Sequence, residues 1–469
     1  MAVASPPPIS FNPLRRVLEE LRAERAASAP LPPGHPRFSM RRTRRFERDP
    51  VAVLLEAYED FGPVFTLRVL HAPVVFMIGP AANHFMTVSH AHLFRWRDGF
   101  MGDLIPLLGD GLLTTDGAYH RMARKLILPA FHRERVAASL DTMVAETERA
   151  LDGLAPGAEL DLYAWTRHLA LRVAMRALFG FEPDRSEPDF DAAEEFERAL
   201  AFYGRDYLLQ TLRGPGSPWA RMGTARRRLD RLIFEEIARR RSSGRRGEDI
   251  MSLLLDATDE EGAALSDAAV RDQVMTLLFA GHDTTTSTVS FLIYELARAP
   301  DALRCVAREQ DERLAGRSPS APDLTGGLPE LDMAVDETLR LYPAAWIGPR
   351  RSVEQFDFAG VTVPGGIPVE YCSWASHRLP EVFPEPDRFR PHRFTPETRA
   401  ALPKGAYVPF GGGSRTCIGM RFGLLEVKAI ATLLLQRFGL ELRSAEPLEI
   451  RQMPTLSPAG GLPVVLRER

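Results

Sequence analysis

One stretch constrains the fold more than any other. From Ser266 to Arg298 the chain runs 33 residues without a proline, with a serine suited to cap its start and Pro300 just beyond its end. At 1.5 Å per residue such a helix spans roughly 45–50 Å, long enough to cross a whole molecule. Its middle carries a flaw, FAGHDTTTS, from Phe279 to Ser287. Glycine costs about 1 kcal/mol inside a helix, and Asp and Thr are mediocre helix formers. Ala280, Asp283 and Thr284 stand at i, i+3 and i+4 and so share one face. A small residue, an acid and a hydroxyl together suit a notch that delivers protons. Hydroxyls can also satisfy carbonyls freed by a local bulge, and a polar kink without chemistry is the plainer reading.

The rest of the chain is predicted to be mainly α with small β-sheets. Helical periods dominate from Gly117 to about Arg240, broken by the loop RGPGSPW at Arg213–Trp219. Phe65–Gly79 reads as two short strands around a turn near His71 and Ala72. SGRRGED, Ser243–Asp249, reads as an exposed charged loop. LDMAVDETLRLYP is a helix ended by Pro343, and Leu424–Phe438 is an apolar helix. Length alone suggests about three domains, but no linker interrupts the 469 residues. The expected organisation is therefore an amphipathic and proline-rich lead-in over residues 1–37 and one large domain over 38–469. In the lead-in, Leu14, Val17, Leu18 and Leu21 fall on one helical face that packs on the body or touches a membrane surface.

The second constraint is FGGGSRTCIG, Phe410–Gly419. No lysine follows the glycines, so it is not a phosphate-binding P-loop. The three cysteines, Cys305, Cys372 and Cys417, are widely spaced and form no C-x-x-C pair, which argues against structural zinc and a disulfide framework. Cys305 and Cys372 read as buried structural thiols, in a helix and a strand, and free thiols suit a reducing, cytoplasmic setting. Cys417 is left as a lone thiolate aimed at something large. A net charge of −3 gives no general case for nucleic acid. No apolar run reaches the length of a transmembrane anchor. Glu337 and Arg340, one helical turn apart, are a surface ion pair or, with Arg393 downstream, a buried lock. His120 and Arg124 are a solvated basic face or a grip on a carboxylate.

Together these motifs resemble the cytochrome P-450 superfamily of haem-thiolate monooxygenases, in its soluble bacterial type. The cysteine-loop pattern F-x-x-G-x-R-x-C-x-G is matched by Phe410, Gly413, Arg415, Cys417 and Gly419. The pattern [AG]-G-x-[DE]-T is matched by Ala280, Gly281, Asp283 and Thr284, E-x-x-R by Glu337 and Arg340, and P-x-R-F by Pro391, Arg393 and Phe394. The resemblance covers nearly the whole chain. There are departures: His120 with Arg124 replaces a W-x-x-x-R element, His392 stands where Glu is common, and Gly423 where Ala is.

The resemblance implies a P-450 fold with haem b between the long helix and the cysteine loop, and Cys417 as the axial thiolate ligand of its iron. It implies that His120, Arg124, Arg350 and Arg415 hold the propionates, with Ala280, Phe410, Gly413 and Gly419 also at the cofactor. Asp283 and Thr284 would be catalytic, delivering protons during oxygen activation, and Glu337, Arg340 and Arg393 would form the lock. A hydrophobic small-molecule substrate would meet Trp96, Phe202, Ala280, Ala345, Trp346, Ile347 and Leu456. Electrons would come from a separate ferredoxin and ferredoxin reductase, docking near Arg121, Lys125, Arg133 and Arg421. Rival readings are a haem-thiolate peroxygenase or isomerase, and a non-catalytic haem-binding sensor.

Overall fold

The computed structural model describes residues 13–181, 190–205, 207–244, 247, 249–258, 262 and 264–469. Residues 1–12 of the lead-in and 245, 246 and 248 of the charged loop lie outside the described residues.

The long helix forms as one unbroken α-helix, Asp267–Arg298, and the expected start and stop hold. Ser266 Oγ accepts from the Ala269 amide at 3.1 Å. The polar run does not break it, because its hydroxyls bond back to carbonyls four residues earlier. Thr284 donates to Ala280 O at 2.8 Å, Thr285 to Gly281 O at 3.0 Å and Thr286 to His282 O at 2.7 Å. Thr288 and Ser290 repeat the pattern, so no bulge is needed. Gly281 lets the Leu162–Val173 helix and the turn after it approach: a Cβ there would touch Ala174 and Leu178 at 3.8 Å. The main core wraps this central helix, drawing in the helices Pro218–Ser243 and Met420–Arg437.

The second feature is a six-stranded sheet. Its strands are β1 (Gly34–His35), β2 (Val64–Val69), β3 (Ala72–Met77), β4 (Phe94–Arg95), β5 (Ile347–Ser352) and β6 (Pro368–Cys372). Their spatial order is β1-β2-β3-β6-β5-β4. β3 and β6 run parallel, whereas β6 and β5 run antiparallel. Two smaller clusters lie on the sheet's two faces. The sheet thus brings residues near 75, 350 and 370 side by side against one flank of the long helix.

The lead-in helix, Pro13–Arg25, is fixed to the body by ion pairs of Arg16 with Asp103, Glu20 with Arg351 and Glu24 with Arg68. Its expected apolar face divides: Val17 and Leu21 are half-buried, but Leu14 and Leu18 are 73% and 53% exposed. Cys372 is buried as expected, and burial pushes its thiol up to about 12. Cys305 is only half-buried, because its helix, Pro300–Leu314, keeps one side in solvent. Among the described residues no helix is long and apolar enough to cross a membrane.

Candidate active site

The long helix and the cysteine loop face each other across a cavity of about 1160 Å³. Ala280 and Thr284 line it from the helix, and Phe410, Arg415 and Cys417 from the loop. The loop is built by its own backbone: the Cys417 amide donates to Phe410 O at 2.9 Å. Burial pushes the Cys417 thiol up, opposed by the amides of Gly419 and Met420 and by the Arg124 guanidinium. Those same groups are what a thiolate needs. Arg124 is held in place by donating to Thr416 O at 2.7 Å.

Gly413 and Gly419 do not line the cavity, which corrects the expectation that they meet the cofactor. Gly413 has φ +61°, and a Cβ there would lie 2.2 Å from the Thr87 carbonyl oxygen. It lets the loop dock on the Phe85–Ser89 turn. Gly419 precedes the Met420–Arg437 helix, with Phe131 and the Cys417 sulfur at van der Waals distance from its would-be Cβ. Gly411, with φ +67°, is the loop glycine that reaches the cavity wall with Gly412.

A cluster of cations rims one side of the cavity: His120, Arg124, Arg350 and Arg415 all line it. Arg350 is buried, 3.4 Å above the Trp96 ring, and donates to Pro349 O at 2.8 Å. Burial lowers it to about 10. Arg415 lies over the other side of the same indole region at 5.0 Å and donates to Thr115 O and to Asp116 at 2.6 and 2.5 Å. Burial also lowers Arg415 to about 10. His120 is pushed down to about 3, by burial first and then by Arg415 and Arg124. Trp96 therefore sits inside the arginine cluster, although it was expected on the substrate wall. Asp116 and Tyr371, which join the cluster, are not singled out by any sequence pattern. Three guanidiniums against the single carboxylate of Asp116 leave room for anionic groups, so these residues fit a cofactor with two carboxylates.

Asp283 departs from the expected shared notch. Its carboxylate is buried outside the cavity lining. It accepts from Arg167 Nη2 at 3.0 Å and from the Thr455 hydroxyl. Burial alone would push it up, but Arg167, His282 and Thr455 hold it below the usual carboxylate range. Adjacent helix positions differ by about 100°, so Thr284 turns to the cavity while Asp283 turns to the Leu162–Val173 helix. Arg167 also pairs at 3.0 Å with Glu197, which is 59% exposed. Arg167 and Thr455 lie 116 and 172 residues from Asp283 in sequence, beyond the reach of any local pattern.

The lock is present. Arg340 and Glu337 are fully buried and joined by two bonds of 2.8 Å. Arg340 spends its remaining donors on the carbonyls of His377, Pro386 and Arg388. Arg393 Nε and the Arg390 amide donate to Glu337 at 3.2 and 2.9 Å.

Phe202, Ala345, Trp346 and Ile347 line the cavity as expected. Leu456 does not. Its amide donates to Ala344 O at 3.1 Å, its carbonyl accepts from the Ser287 hydroxyl, and its side chain is turned into the core beside the sheet. Thr455 and Pro454 take its place on the wall.

An arrangement of this kind, one thiol beneath a broad cavity with carboxylate-seeking cations at its edge and a hydroxyl-bearing helix above, defines an enzyme of the haem-thiolate class. The family comparison agrees: the model of the cytochrome P-450 family matches residues 30–462, and the chain belongs to that family of monooxygenases. A Streptomyces melanosporofaciens relative, cyclooctat-9-en-7-ol 5-monooxygenase, is 36% identical over 347 residues, which is 71% of this chain and 73% of the relative. A Mycobacterium tuberculosis protein that carries a family number, cytochrome P-450 139, and no named activity is 32% identical over 429 residues, 88% of this chain and 97% of its own. Among solved structures, the retinoic acid bound cyanobacterial CYP120A1 superposes with a TM-score of 0.82 at 29% identity, covering 94% of this chain and 100% of that one.

Proposed function

We propose that the protein binds haem b through a Cys417 thiolate and inserts one atom of molecular oxygen into a hydrophobic small molecule, by hydroxylation or epoxidation. The observation that carries this reading is the Cys417 thiol opening onto a cavity whose opposite wall bears Ala280 and Thr284. His120, Arg124, Arg350 and Arg415 would hold the propionates, and Phe410 would pack beside the loop. When bound, haem with a thiolate ligand supplies the oxygen-activating chemistry.

The chain's own residues do the rest. Thr284 Oγ1, now donating to the Ala280 carbonyl, is the hydroxyl placed to pass a proton into the cavity. Asp283 holds the acid behind it, tied to Arg167, and Arg167 reaches the exposed Glu197. Release of the Asp283 carboxylate from Arg167 would let it turn towards Thr284. Glu337, Arg340 and Arg393 keep the segment before the cysteine loop in place.

The substrate reading rests on the apolar wall of Phe202, Ala345, Trp346 and Ile347. Relatives named for cyclooctat-9-en-7-ol and for bound retinoic acid support a largely hydrocarbon substrate. Electrons would arrive from a separate ferredoxin and its reductase. Residues 38–469 would act as one catalytic domain with 1–37 as its lead-in. The free thiols suit the cytoplasm.

The test is the absorption spectrum of reduced, haem-loaded protein under carbon monoxide. A strongly red-shifted Soret band is expected, and Cys417→His should move it back to the position of a histidine-ligated haem. An unshifted band in folded wild-type protein would refute the thiolate assignment.

A further inference from the structure

We propose that Glu370 is the polar anchor of the substrate cavity and receives a hydroxyl group of an otherwise apolar substrate. The proposal rests on the oxygenase reading above and deepens it at the same cavity.

The strand register separates Glu370 from the cation cluster. Across β5 and β6, Arg350 faces Val369 and Gly348 faces Tyr371, whereas Glu370 faces Pro349. Across β3 it faces Phe76. Side chains alternate across a sheet. Arg350 and Tyr371 therefore project from the face that carries Trp96, and Glu370 from the other. Its neighbours on that face are Val74, Phe76, Ile347 and Pro349, and they pack with Phe100 and Trp346. Of these six, all but Phe76 also line the cavity.

Glu370 is 4% exposed, lines the cavity and has no hydrogen-bonding partner among the described residues. A buried carboxyl in apolar surroundings is costly unless something bonds it. An aliphatic side chain would pack there without that cost, so the acid needs a partner that the fold does not supply. The nearby cations are committed elsewhere: Arg351 to Glu20 and the Asp98 carbonyl, Arg16 to Asp103. Arg350 acts only from the opposite face. Burial accordingly pushes Glu370 up to about 8, with Arg350 opposing, and the group is chiefly a neutral acid at pH 7.

A neutral carboxylic acid donates one hydrogen bond and accepts another. An alcohol does the same, so the two satisfy each other without burying a charge. A substrate ammonium would require an ionised Glu370. A substrate carboxylate would bring an anion to a face whose cations are already paired. The alcohol is the head group that leaves the fewest unmet charges.

The experiment uses one hydrocarbon body with three heads: retinol, retinylamine and retinoic acid. Each is titrated at pH 7 into haem-loaded wild type, Glu370→Gln and Glu370→Leu, and binding is read from the Soret shift and from retinoid fluorescence. Wild type should bind retinol about tenfold more tightly than either other ligand, the size of one good hydrogen bond. Glu370→Leu should erase that preference, and Glu370→Gln, whose amide also donates and accepts, should keep most of it. Tightest binding of retinylamine, a preference that survives in Glu370→Leu, or no binding of retinol at all would each overturn the proposal. The carbon monoxide band of the same samples reports on Cys417 alone, and the fluorescence titration does not depend on iron ligation. Loss of the band with the retinol preference intact would refute the haem-thiolate reading and leave the anchor standing.

Discussion

Glu426 shows what one buried carboxyl does to the molecule. It lies fully buried on the Met420–Arg437 helix, one oxygen accepting from Thr285 Oγ1 at 3.0 Å and the other without a partner among the described residues. Burial pushes it from 4.5 up to about 8, and the Thr285 bond only partly opposes this. The folded protein therefore keeps a proton that the unfolded chain releases, and the cost of burial grows as pH rises through that window. Each pH step within it is worth about 1.4 kcal/mol. Glu426→Gln keeps an acceptor for Thr285 and carries no proton to lose. The variant should match wild type near pH 5 and exceed it by at least about 1.4 kcal/mol at pH 8. Urea unfolding at the two pH values checks this; a gap independent of pH would rule the mechanism out. Asp283 has the opposite sign: held low by Arg167, it contributes stability above the ordinary carboxylate range that is lost as pH falls. Residue identities at the site were largely legible in the sequence, since Cys417, Thr284, Glu337 and Arg340 announce themselves by spacing. Their partners were not. The direction of Asp283, the burial of Leu456 and the isolation of Glu370 depend on contacts with segments more than a hundred residues away, or on which face of a sheet a strand presents.

Among the elements, the helices were the easiest to foresee, because caps and prolines act locally. Ser266 and Pro300 bound the long helix in the sequence as in the structure, and the threonines' back-bonding explains why its polar centre stays helical. The sheet was harder. β3 and β6 are almost 300 residues apart and pair in parallel, and no hydrophobic period encodes that. The loop glycines show the same limit, because Gly413 answers to Thr87 rather than to a ligand. The lock joins these elements. Arg340 ties its own helix to Glu337 and to three carbonyls of the chain between His377 and Arg388. Lysine offers three donors from a single point and cannot reproduce that fork. Arg340→Lys should therefore leave Glu337 and buried carbonyls short of donors and cost about 3–5 kcal/mol. The expected outcome is a large fall in the midpoint of urea unfolding together with loss of haem retention. Wild-type haem content and an unchanged midpoint would show that the lock is dispensable.

At the scale of the whole molecule, charge is distributed against the net sum. The chain carries −3 overall, yet Arg121, Lys125, Arg133 and Arg421 are all exposed on elements that bracket the cysteine loop. Arg124 on the same helix as Arg121 touches Thr416, and Phe131 lies against Gly419, so this face is the short way from solvent to Cys417. Most arginines of this protein are ion-paired, but none of these four is in a salt bridge among the described residues. Unneutralised cations near a buried redox site would steer an acidic electron carrier, and such steering weakens once the Debye length falls to about 10 Å near 0.1 M salt. Replacing all four by alanine should lower ferredoxin-driven turnover about tenfold at low ionic strength and flatten its dependence on salt. Peroxide-driven turnover bypasses the carrier, so it should be unchanged in the same variant. An equal fall in both activities would mean that the substitutions damaged the cysteine loop itself, and the docking surface would have to be sought elsewhere on the molecule.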